Sequence, residues 1–457
     1  MKKKRDGLYM VNGPLIPGIM TFTLPLMLTS ILQLLYNAAD IIVVGRYVGS
    51  QALAAVGATA SLINLLITVF LGLSVGTSVA VANAYGAQAH DEVSDTVHTS
   101  VALSLISSVF VCALGLLACR PLLEMMGTPE DVIDLSEVYM RIYFIGVPGN
   151  LLYNFGSAIL RAVGDTRRPL VILTIAGLVN VCLNLVFVIA LGMSVDGVAW
   201  ATIISQYLSA VMVTICLLRS EDCIRLTLRR IRIHWARLKE IVRVGLPAGF
   251  QGALFALSNV LIQSSLNTFG SAAVAGSSAA GNIEGFIYVM MNAMHQAAIT
   301  FCGQNMGAKN YKRIPHILRA CLLLTFGIYV IGCGAVILFC EPLLRIYNSD
   351  PMVLEFGRRK QIIMMAFYFF CGGMDVVTGQ LRGMGYSLGP TLVVLTGVCG
   401  LRMVWLATVF ARWHTFEVLF YSYPVSWFVT FAALLACYFA VRRRLPKGDA
   451  LIEQTQS

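Results

Sequence analysis

Gln33-Leu-Leu-Tyr36-Asn37-Ala-Ala-Asp40 sets polar residues at i, i+3, i+4 and i+7 of an apolar run, so on a helix they form one stripe that ends in a carboxylate. A charged carboxylate in hydrocarbon costs about 2.5 to 3.5 kcal/mol on insertion scales, so Asp40 is expected to face a protein interior or a wet cavity. There it could take up and release a proton, or its oxygen atoms could ligate a small hard cation such as sodium; the residues leave both open. The partners available in the first half of the chain are neutral: Asn150 and Asn154 at i, i+4, Asn180 and Asn184 at i, i+4, and Thr202. The second half instead offers Asp375, Glu284, His295 and Arg402 inside apolar stretches, where each needs a partner. Purely structural roles compete with these. Asp40 could snorkel toward Arg46, the asparagines could hydrogen-bond between helices, and a carboxylate paired with Arg402 would be a static ion pair.

Long apolar elements must carry these groups. The chain has 457 residues, 58% hydrophobic and 12% charged, with a mean hydropathy of +0.77. That composition lies outside the range of soluble domains. At about 20 residues per span, a chain this long holds roughly twelve helices, which predicts an all-α integral membrane protein with no sizeable soluble domain. The first span is expected from about Ile16 to Val44, with Pro25 as a hinge because it removes one helical N–H. Others are expected at about 53–82, 99–119, 137–160, 170–191 and 196–218, then at 245–268, 278–303, 317–340, 360–381, 391–411 and 418–440. The domains so defined are an N-terminal lobe (1–220), a cytoplasmic linker (221–243) and a C-terminal lobe (244–457).

The net charge of +10 does not indicate a nucleic-acid partner, because the basic residues sit in short connections rather than on one folded face. Lys2 to Arg5, Arg161 with Arg167 and Arg168, Arg219 to Arg243, Lys309 to Arg319, Arg382 and Arg442 to Lys447 fall on one side. The positive-inside rule then puts both termini of this multi-pass chain in the cytoplasm, and the membrane expected is the inner (plasma) membrane of the cell. Arg345 and the triplet Arg358, Arg359, Lys360 fall on the other side. Ile224 to Val242 mixes apolar and basic residues, as a linker lying along the inner leaflet would. The twelve cysteines form no CxxC pair and no metal spacing, and no cleavable signal peptide follows Met1.

The two halves repeat. Gly86 and Gly307, Pro121 and Pro342, Arg161 and Arg382, Gly164 and Gly385, and Pro169 and Pro390 are each 221 residues apart. Six spans per half give both repeats the same orientation, so the expected architecture is two six-helix lobes related by a pseudo-two-fold along the membrane normal. Rocking one lobe against the other gives alternating access to a central site. Where the halves agree, as at Arg161 and Arg382, the residues are expected to end helices and fix turns. Where they disagree, one lobe has acquired its own chemistry. At this spacing Asp40 corresponds to Leu261, Asp375 to Asn154, Glu284 to Ile63 and Arg402 to Val181.

Leu-Pro25, Gln-Leu-Leu-Tyr-Asn-Ala-Ala-Asp40-Ile-Ile-Val-Val-Gly-Arg, Ala-Leu-Ala-Ala-Val-Gly57, Leu-Arg161-Ala-Val-Gly-Asp-Thr-Arg-Arg-Pro169 and Gly-Gln-Asn-Met-Gly-Ala308 resemble the multidrug and toxic compound extrusion (MATE) family, over essentially the whole chain. The resemblance implies a two-lobed antiporter that expels organic cations or other amphipathic drugs in exchange for protons or sodium, with no cofactor beyond the transported ion. It maps the ion-coupling role onto Asp40, with Asn154, Asn180 and Thr202 beside it, and onto Asp375. There are two departures. Bacterial members often carry Asp where this chain has Asn184, and many have an acid in the seventh span near Ser258, for which Glu284 in the eighth could stand in. A cavity lined by Gln33, Met290, Met291, Met294 and Tyr368 would offer soft surfaces to varied cargo. The expected partners are the cargo, the coupling cation and the bilayer, with the transporter acting as a monomer.

Rival readings fit less well. A flippase for lipid-linked saccharides would want a cation-lined cavity, whereas the intramembrane charges other than Arg402 are mainly acidic. A magnesium-dependent prenyltransferase needs clustered carboxylates, and none sits near Asp40. A major facilitator would carry basic residues between its second and third spans, but Ala87 to Val97 has no Lys or Arg. No GxxxxGK[ST] loop is present for an ATP-driven pump. A passive channel would differ from an antiporter in failing to move cargo uphill.

Overall fold

The computed structural model describes residues 9–128, 130–220 and 223–446. Of the basic topology signals, Lys2 to Arg5 and Lys447 lie outside them. A short turn at Tyr9–Asn12 precedes α1, Leu15–Val43, which stays helical through Pro25 and widens at Val44–Val48. Then come α2 (Ser50–Gly86), α3 (His90–Met125), α4 (Glu130–Ala162), α5 (Arg167–Leu185) and α6 (Val195–Leu218). The second set is α7 (Trp235–Asn267), α8 (Ser271–Gly307), α9 (Ile314–Leu338), α10, α11 (Leu388–Phe410) and α12 (Phe416–Arg442). α10 is broken into Pro351–Ala366 and Tyr368–Gly383, which meet at 48°. Its start is set by Pro351 at the first helical position and by the Asp350 carboxylate, which accepts the Met352 N–H at 2.8 Å.

Among the described residues there is no strand, and nine helices, or ten if bent α10 is one span, are long and apolar enough to cross a membrane. The remaining two, α4 and α8, have the length but not the apolarity. The reason is where they pack. α4 is flanked by α2, α3 and α6, and α8 by α9 and both halves of α10, so their faces meet protein rather than lipid and can carry polar residues. Small residues let α8 come close: a methyl group at Gly276 would fall 2.4 Å from the Val353 carbonyl oxygen. The helices also run past the limits expected from hydropathy, α3 beginning at His90 rather than near 99, because polar turns continue the helix beyond the apolar window.

The backbone repeats at the 221-residue spacing. α2 and α8 both end in left-handed caps at Gln88 and Lys309, each with φ 56°. Gly164 and Gly385, with φ 93° and 85°, close the turns after α4 and after α10, and their N–H groups donate to the Arg161 and Arg382 carbonyls at 2.9 and 2.8 Å.

The chain forms two compact units whose limits fall inside helices. One holds the described residues of Met1–Met27 and Leu254–Ser457, the other Leu28–Ala253. In the first, Met10, Ile19, Phe22 and Leu26 join the core of the second-half helices. Phe22 meets Phe301 edge-to-face at 5.9 Å, Asn305 donates to the Met10 carbonyl at 3.1 Å, and Arg313 donates to that of Gly13. In the second, one apolar cluster gathers Val111, Met140, Phe144 and Leu151, and another gathers Val97, Ile159, Leu160 and Leu217.

Candidate functional site

In the unit Leu28–Ala253, α1 and α5 build the site around Asp40. The Asp40 carboxylate accepts the Asn184 side-chain N–H at 2.5 Å, and the same amide nitrogen lies 3.3 Å from the Asn180 Oδ1. Asn180 and Asn184 are buried, and one turn earlier on the same face stands Gly177. A methyl group there would lie 1.9 Å from the Tyr36 ring, so only glycine lets Tyr36 seat against α5 and donate to the Thr174 carbonyl at 3.3 Å. Tyr36 and Asp40, four residues apart on α1, thus face Gly177, Asn180 and Asn184 on α5. Tyr139 and Tyr143 of α4 lie near enough to feel the Asp40 charge, and Gln206 donates to Tyr143 at 3.5 Å. No cation pairs with Asp40 among the described residues.

Other members of the expected set point elsewhere. Asn154 donates to the Asn150 carbonyl at 2.8 Å and to its side chain at 3.1 Å, and Thr202 donates to the Val198 carbonyl at 2.9 Å, so both serve their own helices. Gln33 and Asn37 are exposed.

The other unit is arranged differently. The Asp375 side chain lies near Tyr288 and within reach of the Arg382 charge. His295 is bonded through Nδ1 not to that carboxylate but to the Asp375 backbone carbonyl, at 2.6 Å. Gly379 makes this possible, since a methyl group there would fall 2.6 Å from the His295 carbonyl oxygen and 2.9 Å from its Nδ1.

Glu284 forms a separate centre. Its Oε2 lies 3.6 Å from Lys360 Nζ, with both side chains about one-tenth exposed, and its buried Oε1 has no hydrogen-bond partner. Lys360 also donates to the Ser277 carbonyl at 3.0 Å and sits 5.4 Å from the Phe420 ring centre. Lys360 therefore does not belong with the outer-side topology residues. The buried positions Gly357, Lys360, Gln361 and Met364 form one helical face, whereas Arg358 and Arg359 point off it and pair with Glu355. That periodicity was available in the sequence.

Among the described residues no acid pairs with Arg402. It donates to Ser426 at 3.1 Å and stacks 3.9 Å over the Tyr423 ring, a cation–π contact. Met291, Met294 and Tyr368 are buried in this unit, Met290 is half-buried, and Tyr368 meets Trp427 edge-to-face at 5.4 Å. Tyr288 was missed in the sequence, although its position four residues after Glu284 puts both on one side of α8. No group of three or more metal-binding side chains occurs among the described residues.

The MatE family model matches residues 25–186 and again 247–408, once in each half. The "Probable multidrug resistance protein YoeA" of Bacillus subtilis is 26% identical over 429 residues, covering 91% of this chain and 92% of that protein. The "Probable multidrug resistance protein NorM" of Thermotoga maritima is 28% identical over 391 residues, covering 84% of this chain and 83% of that one. In fold, the chain is similar to the solved outward-facing conformation of a multidrug resistance MATE family transporter, with a TM-score of 0.91 over 98% of this chain and all of the other, at 23% identity. With both halves matching one family model, the chain belongs to the MatE family of membrane transporters, which are not enzymes.

Proposed function

We propose that this chain is a cation-coupled antiporter that exports organic cations and other amphipathic drugs by alternating access, driven by protons or sodium. In this reading it works as a monomer in the inner membrane, with both termini in the cytoplasm, an N-terminal lobe of 1–220, a linker and a C-terminal lobe of 244–457. The names of its relatives support the cargo class. The observation that carries the coupling is Asp40 held by an amide, through Asn184 to Asn180, with no cation paired to it among the described residues.

A carboxylate accepts a charge-assisted hydrogen bond about twice as strong as a neutral one. When Asp40 is ionised, Asn184 ties α1 to α5. When a proton or sodium ion neutralises it, that tie weakens, and the ion and the cargo each favour a different packing of α1. Ion entry thus lowers affinity for the cargo. Asp375, with Tyr288 and Arg382 about it, supplies a second acid.

The test uses purified protein in liposomes loaded with a fluorescent organic cation, under either a proton or a sodium gradient. Efflux driven by one gradient, and lost in Asp40→Asn, is the expected result. Gradient-driven efflux unchanged in both Asp40→Asn and Asp375→Asn would overturn the mechanism.

A further inference from the structure

The connection between α6 and α7 joins two membrane spans, so it lies at a membrane surface. In it, Ile224 and Leu226 point inward and are buried, each only 3% exposed, with Arg225 between them pointing outward. The Leu226 N–H donates to the Leu217 carbonyl at 3.0 Å, the Thr227 N–H to His98 Nε2 at 3.0 Å, and the His234 N–H to the Thr99 hydroxyl at 3.1 Å. His98 is itself fixed by its Nδ1, 2.7 Å from the Ser94 carbonyl oxygen. At the far end Arg237 pairs with Glu92 at 3.0 Å.

So pinned to α3, the strap turns a fixed outer face toward its surroundings. Arg225, Leu228, Arg229, Arg230, Arg232 and Trp235 are exposed there, Leu228 at 61% and Trp235 at 79%. Among the described residues no carboxylate pairs with Arg225, Arg229 or Arg230, and from Arg225 to Lys239 the sequence contains no acid. A large aromatic and a leucine beside unpaired guanidinium groups at the end of a span suit one partner. The apolar side chains enter the boundary of the leaflet, and the arginines meet phosphate.

We propose that this strap is a binding surface for anionic phospholipid headgroups of the adjoining leaflet, with Arg225, Arg229 and Arg230 as the phosphate-binding groups and Leu228 and Trp235 as the anchor. The inference is independent of what the protein transports.

The test reads Trp235 fluorescence, taken as the difference between wild type and Trp235→Phe, in phosphatidylcholine vesicles holding a minor fraction of brominated phosphatidylglycerol or of brominated phosphatidylcholine. Quenching by the anionic lipid should report an occupancy at least about fivefold higher, the factor that one arginine supplies near an anionic surface. That preference should fall toward unity in R225Q/R229Q/R230Q, persist in R225K/R229K/R230K, and shrink as salt is raised. If the glutamine variant does not fold, the salt titration of the wild type and R230Q alone decide the matter. Equal quenching by the two lipids, a preference that salt leaves untouched, or a Trp235 that neither lipid quenches would each overturn the proposal.

Discussion

Two acids on one duplicated backbone, half-buried Asp40 and buried Glu284, are met in opposite ways. Asp40 is met by the amides of Asn184 and Asn180, and Glu284 by the ammonium of Lys360. The difference was written by substitution at matched positions. Counting 221 residues on, Asn184 becomes Trp405, Gly177 becomes Val398 and Tyr36 becomes Leu257, while Lys360 counts back to Tyr139. A carboxylate among amides has no counter-charge of its own, which is what the proposed coupling to a mobile ion requires. A carboxylate beside a lysine carries its counter-charge with it. The repeat kept the helix ends and turns, while one acid is set among amides and the other carries a built-in cation.

The largest effect should come from taking away the built-in cation. Lys360→Met leaves Glu284 with no partner for either oxygen, and an uncompensated buried charge costs about 3–5 kcal/mol. Glu284→Gln should cost less, because Lys360 keeps the Ser277 carbonyl and the Phe420 face. The double variant should recover most of the loss. Thermal unfolding of the four proteins in detergent measures this cycle, and additive losses would mean that the pair is not a unit.

Next in size is the loss of the Asp40 carboxylate, on which the proposed coupling rests. Asp40→Asn should reduce gradient-dependent efflux by about 5- to 150-fold, the span of ordinary coupling free energies, with little change in folding. Asp375→Asn should reduce it by about fivefold or less, because Arg382 already supplies charge near that acid. Vesicle efflux rates for the two variants, compared under the same gradient, test the ranking. Equal losses would remove the distinction between the lobes.

How close α1 comes to α5 is set by one missing methyl group. Gly177→Ala places a carbon 1.9 Å from the Tyr36 ring, which must move and carry the stripe with it. Overpacking of this kind costs about 1–3 kcal/mol, and efflux should fall together with stability. Unchanged thermal unfolding and efflux would show that Tyr36 has another seat.

Much of this architecture could be read from residue order alone, for definite reasons. Chain length at about 20 residues per span gave roughly twelve helices, the lipid-facing ones being legible as apolar runs, and the common spacing of glycines, prolines and arginines gave the repeat. The stripe from Tyr36 to Asp40 and the pair Asn180 and Asn184 were legible because neighbours on a helix are three or four residues apart. What was not legible is which helix faces which. Asn154 and Thr202 had the right chemistry but bond within their own helices, and Tyr139, Tyr143 and Tyr288 come near the acids from helices distant in sequence. Lys360 was misplaced for a different reason: next to two arginines it read as part of a charge run, and only its helical phase separates it from them.

The smallest expected effect concerns what the halves still share. Gln88 and Lys309 hold the same left-handed conformation at φ 56°. After Gln88, Ala89 donates to the Ala84 carbonyl at 3.1 Å, and after Lys309, Asn310 donates to that of Asn305 at 2.9 Å, so both helices end in the same cap. Neither residue is glycine, and a side chain in this region costs about 1–2 kcal/mol, part of which glycine returns through its larger entropy when unfolded. Gln88→Gly and Lys309→Gly should therefore each raise stability by about 0.5–1 kcal/mol, by the same amount in both halves and with efflux unchanged. The measurement is the rise in unfolding temperature of each single variant and of the pair. Equal and additive shifts would confine the asymmetry of the lobes to the side chains around Asp40 and Glu284, whereas a gain in one half and a loss in the other would place it in the backbone as well.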